Sequence, residues 1–194
     1  MLKKIKKFKI TLRNREVTRL LKATTEVTEV TPQLEEAIQA ETLNVVKNAS
    51  CAAVYDTFFK ENFPAELVIS PPENWVAVSV YLVTVGDNIE AFKNEAHSRG
   101  ENILSQIIHS SGLEALEQSA GFIQKLIADE AKEENCELSD RKRVNTPEFY
   151  NSLFKILPGD KIGVQLLEAG TLKPLYSSGG VIYWIPLKKR GGRN

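Results

Sequence analysis

The run WVAVSVYLVTVG at residues 75–86 constrains the fold more than any other feature of the sequence. It is almost wholly apolar and rich in the β-branched and aromatic residues that favour strands. An exposed edge strand needs more polar side chains than this run contains. We therefore predict that residues 75–86 form a central strand of a sheet.

The other predicted elements follow in an irregular order. Thr31-Pro32 is typical of a capped helix start, and apolar residues at near-helical spacing extend that helix to about residue 47. Asp87 and Glu90 have the spacing of a capping box at the start of a helical region that runs to about residue 134. Further strands are predicted at 5–12, 65–71, 136–143, 161–167 and 180–185, and further helices at 16–23 and 147–157. This order favours an α+β fold, with one domain over residues 1–194.

Charge and composition exclude several classes of protein. The 25 basic and 25 acidic residues give a formal net charge of +0, so no overall field would attract nucleic acid. The basic N-terminus MLKKIKKFKITLRNR is not followed by a long apolar run. We therefore expect a cytoplasmic protein without a signal peptide, a membrane anchor or a membrane partner. The basic segment fits either a docking patch for an acidic partner or a lysine-bearing edge strand.

The cysteines and histidines show no pattern of metal binding or catalysis. Cys51 and Cys136 are not spaced as zinc ligands or as a disulfide framework, and His97 and His109 have no further ligand at suitable spacing. The sequence contains no Gly-rich phosphate loop, nucleophile elbow or HExxH motif. We therefore predict neither catalytic residues nor a metal site.

The C-terminal third contains residues in the order of a known family pattern. Leu138-Ser139-Asp140-Arg141 is similar to the start of a motif L-T-x-R-x-x-x-G-Y. Two later motifs of the family are matched in order by Ile162-Gly163-Val164, Leu166, Glu168, Leu172, Pro174, Ser177 and Gly180. With these residues the chain resembles, over almost its whole length, the activation domain of cobalamin-dependent methionine synthase and related corrinoid-activation proteins. The resemblance implies a largely antiparallel, twisted central sheet flanked by helices.

The resemblance implies a function in cofactor repair. Members of the family bind S-adenosylmethionine over cobalamin, so that a re-reduced cobalt is trapped by methyl transfer. The chain has no D-x-H-x-x-G motif, so cobalamin is expected on a partner chain, a cobalamin-binding methionine synthase, with a flavodoxin-like or other reductase as a further partner. The chain would then be the activation subunit in methionine biosynthesis, and it would hold the methyl donor in position.

The resemblance also implies candidate contacts for S-adenosylmethionine. Arg141 stands at the position of the family's arginine, and its guanidinium suits the carboxylate of the ligand. Asp56 is the candidate for the ammonium group, with a turn or helix-end aspartate as the other interpretation. Ser177 and Gly180 belong to a predicted loop, GTLKPLYSSGG, that would form the second wall of a nucleotide-like cleft. Tyr183 is a candidate for stacking on the base, with core packing as the other interpretation.

The motif around Arg141 departs from the family pattern at two positions. Asn145 stands where the family has glycine. Asparagine tolerates positive φ, so we keep Asn145 among the candidate ligand contacts. Thr146 replaces the family's tyrosine, and Tyr150 in the following helix is the nearest aromatic residue that could compensate.

These departures leave a second hypothesis open, namely a scaffold that caps another corrinoid methyltransferase and no longer binds S-adenosylmethionine. In that case Arg141 would only pair with a neighbouring acid such as Glu137 or Asp140. An independent small-molecule methyltransferase is not favoured, because no Gly-rich loop lies between an early strand and a helix.

Overall fold

The computed structural model describes residues 1–187, and the last seven residues of the predicted domain lie outside the described range. Within that range an antiparallel sheet of six strands forms the centre of the fold. Its strands are β1 (Lys3–Lys6), β2 (Ala52–Phe59), β3 (Ala77–Thr84), β4 (Cys136–Leu138), β5 (Lys142–Arg143) and β8 (Ser177–Pro186), and a separate hairpin consists of β6 (Gln165–Leu166) and β7 (Leu172–Lys173). The helices are α1 (Asn14–Thr24), α2 (Pro32–Asn48), α3 (Asn88–Ser98), α4 (Asn102–Glu133) and α5 (Pro147–Ile156). None of the helices between residues 1 and 187 combines the length and apolarity needed to cross a bilayer.

The predicted central strand is confirmed. Every residue of β3 is buried, and β2 and β8 pair with it along its whole length. Residues of α4 pack with one face of the sheet, and residues of α5 pack with the other. Because β3 is covered on both faces, apolar side chains are favoured at every position and the strand does not alternate between polar and apolar residues. The observed architecture is the predicted α+β fold with a largely antiparallel sheet flanked by helices.

The N-terminal part of the sheet differs from the prediction. β1 ends at Lys6 rather than near residue 12, because Lys7 adopts a φ of 60° and leaves the extended conformation. The predicted strands do not include AAVYDTFF, which forms β2. The first half of β2 is buried on both faces, so the alternation that identifies a strand is missing there.

Two further strand predictions are wrong in whole or in part. Residues 65–71 contain a 3₁₀ helix, Ala65–Leu67, instead of a strand. Residues 161–167 begin in the 3₁₀ helix Gly159–Ile162, and only Gln165–Leu166 is extended and paired. Leu67 and Ile162 are buried in the same cluster on the α5 side of the sheet. Their apolar character therefore reflects packing onto the sheet rather than membership of it.

The predicted helix starts were confirmed where the cap is local. Thr31 accepts a hydrogen bond from the Leu34 backbone N–H at 3.3 Å, with Pro32 as the first helical residue. The capping box at Asp87 is wrong, since its side chain makes no capping bond. Glu90 instead accepts a hydrogen bond from the backbone N–H of Leu175 at 3.0 Å. This tertiary contact connects α3 to the segment that leads into β8.

Candidate functional site

The candidate site lies where the short strand β5 pairs with β8 beneath α4. Arg143 is in register with Gly180, and Arg141 directly precedes β5. Because side chains alternate across a strand, both arginines lie on the α4 side of the sheet. A Cβ at Gly180 would come within 2.5 Å of the Lys142 carbonyl oxygen and 2.8 Å of the Tyr81 hydroxyl. Glycine at this position therefore allows β5 and the Tyr81 ring to approach β8 closely.

One carboxylate of α4 binds both arginines. The Oε1 atom of Glu117 accepts a hydrogen bond from Nη2 of Arg141, and its Oε2 atom accepts one from Nη2 of Arg143. The Arg141 side chain is only 15% exposed, whereas Glu117 is 38% exposed. Two guanidinium groups against one carboxylate leave one formal positive charge uncompensated within this cluster. The site is thus suited to an anion.

Two buried donors at this site have no hydrogen-bond partner among the described residues, namely Nη1 of Arg141 and the hydroxyl of Tyr81. Tyr81 is 0% exposed. Burial raises the pKa of its hydroxyl, whereas the charges of Arg141 and Arg143 and the approach of the Arg143 guanidinium to the hydroxyl oxygen oppose that shift. A guanidinium has no acceptor, so Arg143 leaves the proton of this hydroxyl without one. A buried donor without an acceptor costs about 1–3 kcal/mol, so such groups are uncommon in folded proteins. A carboxylate is the kind of group that could accept from such donors and offset the excess positive charge.

The structure places Asn145 just beyond β5, on the chain that leads into α5. Its Oδ1 atom accepts a hydrogen bond from the Tyr150 hydroxyl at 3.0 Å. Asn145 does not have positive φ, so the tolerance of asparagine for that conformation is not used at this position. Thr146, at the position of the family's tyrosine, caps α5 and accepts a hydrogen bond from the Phe149 backbone N–H at 3.3 Å.

The predicted loop wall is largely part of the sheet. The segment Ser-Ser-Gly-Gly forms the first residues of β8, and each of them is paired with β3. The Ser177 hydroxyl donates a hydrogen bond to Oγ1 of Thr84 at 2.9 Å. Ser177 lies three residues from Gly180, or about 10 Å along the strand. The small residues of this segment serve close packing within the sheet, and they do not form an open loop.

The structure does not bring Asp56 and Tyr183 to Arg141. Asp56 lies on β2, in register with Val80 of β3, on the sheet face away from α4. Its strand is three positions from β5, or about 14 Å, because β3 and β8 lie between them. Its Oδ1 atom lies 2.9 Å from the ammonium group of Met1. Tyr183 is buried on that same face, where its hydroxyl accepts from the Ile69 N–H at 2.7 Å and donates to the Ile69 carbonyl at 3.0 Å.

Sequence reasoning missed three residues of the site: Glu117, Arg143 and Tyr81. Arg143 follows Arg141 by two positions within a predicted strand, which was an available signal for a shared face. Glu114 and Glu117 interrupt the mostly apolar sequence of α4, which was an available signal for Glu117. Glu114 likewise pairs with an arginine, Arg13, at 2.8 Å. Nothing in the sequence distinguishes Tyr81 from an ordinary core tyrosine of a central strand.

Comparison with known proteins shows a likeness in structure only. No family model matches the chain, and no curated protein matches it. Among solved structures, the crystal structure of the MetH reactivation domain bound to AdoHcy superposes with a TM-score of 0.65 at 10% sequence identity. The match covers 97% of this chain and 80% of that chain. The chain therefore has the fold of the MetH reactivation domain, as the resemblance in the sequence implied.

Proposed function

We propose that the chain binds S-adenosylmethionine at the Arg141 site and is a reactivation subunit of cobalamin-dependent methionine synthase. The observation that supports this most directly is the pair of buried donors on Arg141 and Tyr81 for which residues 1–187 provide no hydrogen-bond partner. They occur in a fold shared with a domain that was crystallised with AdoHcy. S-adenosylmethionine and AdoHcy have the same amino-acid carboxylate, which would accept hydrogen bonds from both donors.

The function of the site residues in this proposal is to position the ligand. The planar guanidinium of Arg141 fixes the direction from which a carboxylate can bind, and the low exposure of this side chain strengthens the electrostatic attraction. S-adenosylmethionine supplies an activated methyl group, and cobalamin on a partner methionine synthase chain would supply the metal that receives it. A flavodoxin-like or other reductase would provide the electron. Orientation of the ligand by Arg141 lowers the entropic cost of that encounter.

Isothermal titration of the full chain with AdoHcy and with S-adenosylmethionine tests the proposal. A hydrogen bond to a charged group contributes about 1.5–3 kcal/mol, so Arg141→Ala should weaken binding by roughly 10- to 150-fold. Glu117 keeps Arg143 as a partner in this variant, so the fold should be retained. Arg99→Ala is the matched control, because Arg99 pairs with Glu95 and Glu101 at the end of α3, both at 2.9 Å.

The titration can also contradict the proposal. A folded Arg141→Ala protein with unchanged affinity would remove Arg141 from the site. If titration of the parent chain with millimolar AdoHcy or S-adenosylmethionine gives no binding heat, the proposal that the chain binds this ligand is wrong. Circular dichroism of each variant shows whether the protein is folded.

One observation favours the second candidate function, a capping scaffold for another corrinoid methyltransferase. Glu117 already provides an internal carboxylate for both Arg141 and Arg143. If the scaffold hypothesis is right, neither the parent chain nor Glu117→Gln binds AdoHcy, while both bind a cobalamin-carrying chain in a pull-down assay. If Glu117 instead competes with the ligand, Glu117→Gln should bind AdoHcy more tightly than the parent chain.

A further inference from the structure

A basic groove of about 830 Å³ lies apart from the Arg141 site. It is formed by the last residue of β1 and the four residues that follow it (6–10), by residues around the end of α2, and by Ile162 and Gly163. Its volume is within the range of about 300–1,000 Å³ that is usual for small-molecule sites. The function proposed above does not use this groove.

The side chains of the groove combine an apolar floor with several cations. Ile10, Val46 and Ile162 contribute apolar surface. The cations are Lys6, Lys7, Lys9 and Lys47, and the groove is lined by no aspartate or glutamate from the described part of the chain. None of these four lysines forms an ion pair within residues 1–187, whereas Lys3 at the start of β1 pairs with Glu130 at 2.8 Å. Four neighbouring cations that form no ion pair within residues 1–187 raise the local potential and favour a ligand with more than one negative charge.

The backbone of Lys7 is a second observation at this groove. Its φ of 60° lies in the left-handed region, where a lysine is strained and a glycine is not. The Lys7 N–H donates a hydrogen bond to the carbonyl of Cys51 at 2.9 Å, and the adjacent residue Lys6 is in register with Ala52. These contacts with β2 hold Lys7 in the strained conformation at the groove. Backbone strain of this kind is found more often at ligand sites than elsewhere.

We propose that this groove binds an organic polyanion. Its apolar or aromatic body would pack on Ile10, Val46 and Ile162, and two or more phosphate, sulfonate or carboxylate groups would pair with the surrounding lysines. The volume of the groove matches one compact ligand, so we favour a small molecule over an acidic protein segment. The proposal is independent of the Arg141 site.

A fluorescence titration of the full chain with the disulfonate dye bis-ANS tests the proposal, with the uncharged dye N-phenyl-1-naphthylamine as the ligand control. We expect saturable binding of bis-ANS and at least tenfold weaker binding of the uncharged dye. Lys7→Gly should weaken bis-ANS binding about tenfold, while the melting temperature stays the same or rises because glycine tolerates the φ of this position. Lys9→Ala provides a second test that leaves Lys7 in place. Lys22→Ala, in the last turn of α1, is the matched control and should bind as the parent chain does.

Three results would overturn the proposal. The first is equal binding of bis-ANS by the parent chain, Lys7→Gly and Lys9→Ala. The second is an equal loss in Lys22→Ala, which would indicate a general effect of charge. The third is a polyglutamate peptide that binds at the lysines while bis-ANS does not, which would identify the groove as a surface for acidic proteins. AdoHcy binding should be unchanged in Lys7→Gly, and a parallel loss would contradict the independence of the two sites.

Discussion

Tyr81→Phe should separate ligand binding from stability at the Arg141 site. The Tyr81 hydroxyl is buried on the α4 side of the sheet and has no partner within the described residues. The substitution keeps the ring and its packing and removes only the unpaired hydroxyl. A buried unpaired hydroxyl costs about 1–3 kcal/mol. We therefore expect the free energy of unfolding to rise by on the order of 1 kcal/mol, and the melting temperature to rise by roughly 2–4 °C for a chain of this size.

The same substitution should weaken ligand binding. If the hydroxyl donates to the carboxylate of AdoHcy, its loss removes a hydrogen bond to a charged group, which contributes about 1.5–3 kcal/mol. The dissociation constant for AdoHcy should then increase roughly 10- to 150-fold. Urea unfolding followed by fluorescence measures the stability, and isothermal titration measures the affinity. A more stable protein that binds its ligand less well is not the usual effect of a core substitution.

Tyr183→Phe is the matched control on the opposite face of the same sheet. Its hydroxyl bonds both the N–H and the carbonyl of Ile69, so its removal leaves two backbone groups without that partner. We expect a loss of about 1–3 kcal/mol in stability and no change in AdoHcy affinity. Lower stability of Tyr81→Phe would show that the hydroxyl is hydrogen-bonded in the native protein, and the reasoning would fail. Unchanged AdoHcy affinity in Tyr81→Phe would remove Tyr81 from the site.

Two further predictions concern α4. A Cβ at Gly112 would lie 2.7 Å from Cε1 of the Tyr176 ring, so Gly112→Ala should lower the free energy of unfolding by about 1–3 kcal/mol in urea titrations. A Cβ at Gly121 on the same helix would meet no atom of residues 1–187 within 4 Å apart from its chain neighbours and the adjacent helix backbone, so Gly121→Ala should instead gain up to about 1 kcal/mol. Equal effects at both positions would contradict the steric argument. Burial, with a smaller contribution from Lys93, lowers the pKa of His109 below its ordinary value of 6.5. Between the lowered native pKa and about pH 6.5, His109 of the unfolded chain therefore binds more protons than His109 of the native protein, and stability should fall as the pH decreases through that interval. His109→Asn should reduce this slope in urea unfolding at a series of pH values, and an unchanged slope would assign it to other groups.

Much of the fold could be predicted because its signals are local. The apolar run of β3 identifies a central strand, and Thr31 with Pro32 identifies the start of α2, since each depends only on neighbouring residues. The same kind of local signal wrongly predicted a strand at Leu67, because this apolar residue is buried by packing against the α5 side of the sheet. It also failed at Glu90, where a tertiary hydrogen bond to Leu175 replaces the expected local one.

The sequence by itself determined the α+β class and the central strand, and its resemblance to a known family made Arg141 the first candidate for a ligand contact. The tertiary structure alone decided what surrounds that arginine. Glu117 is 24 positions from Arg141, and it reaches the arginine only because α4 lies over the β5 end of the sheet. Tyr81 meets Gly180 only through the register of β3 with β8. The identity of a side chain determines which chemistry it can perform. The register of the strands and the position of the helices determine which side chains meet. Register and helix position depend on contacts between distant parts of the chain, so the local sequence does not reveal them.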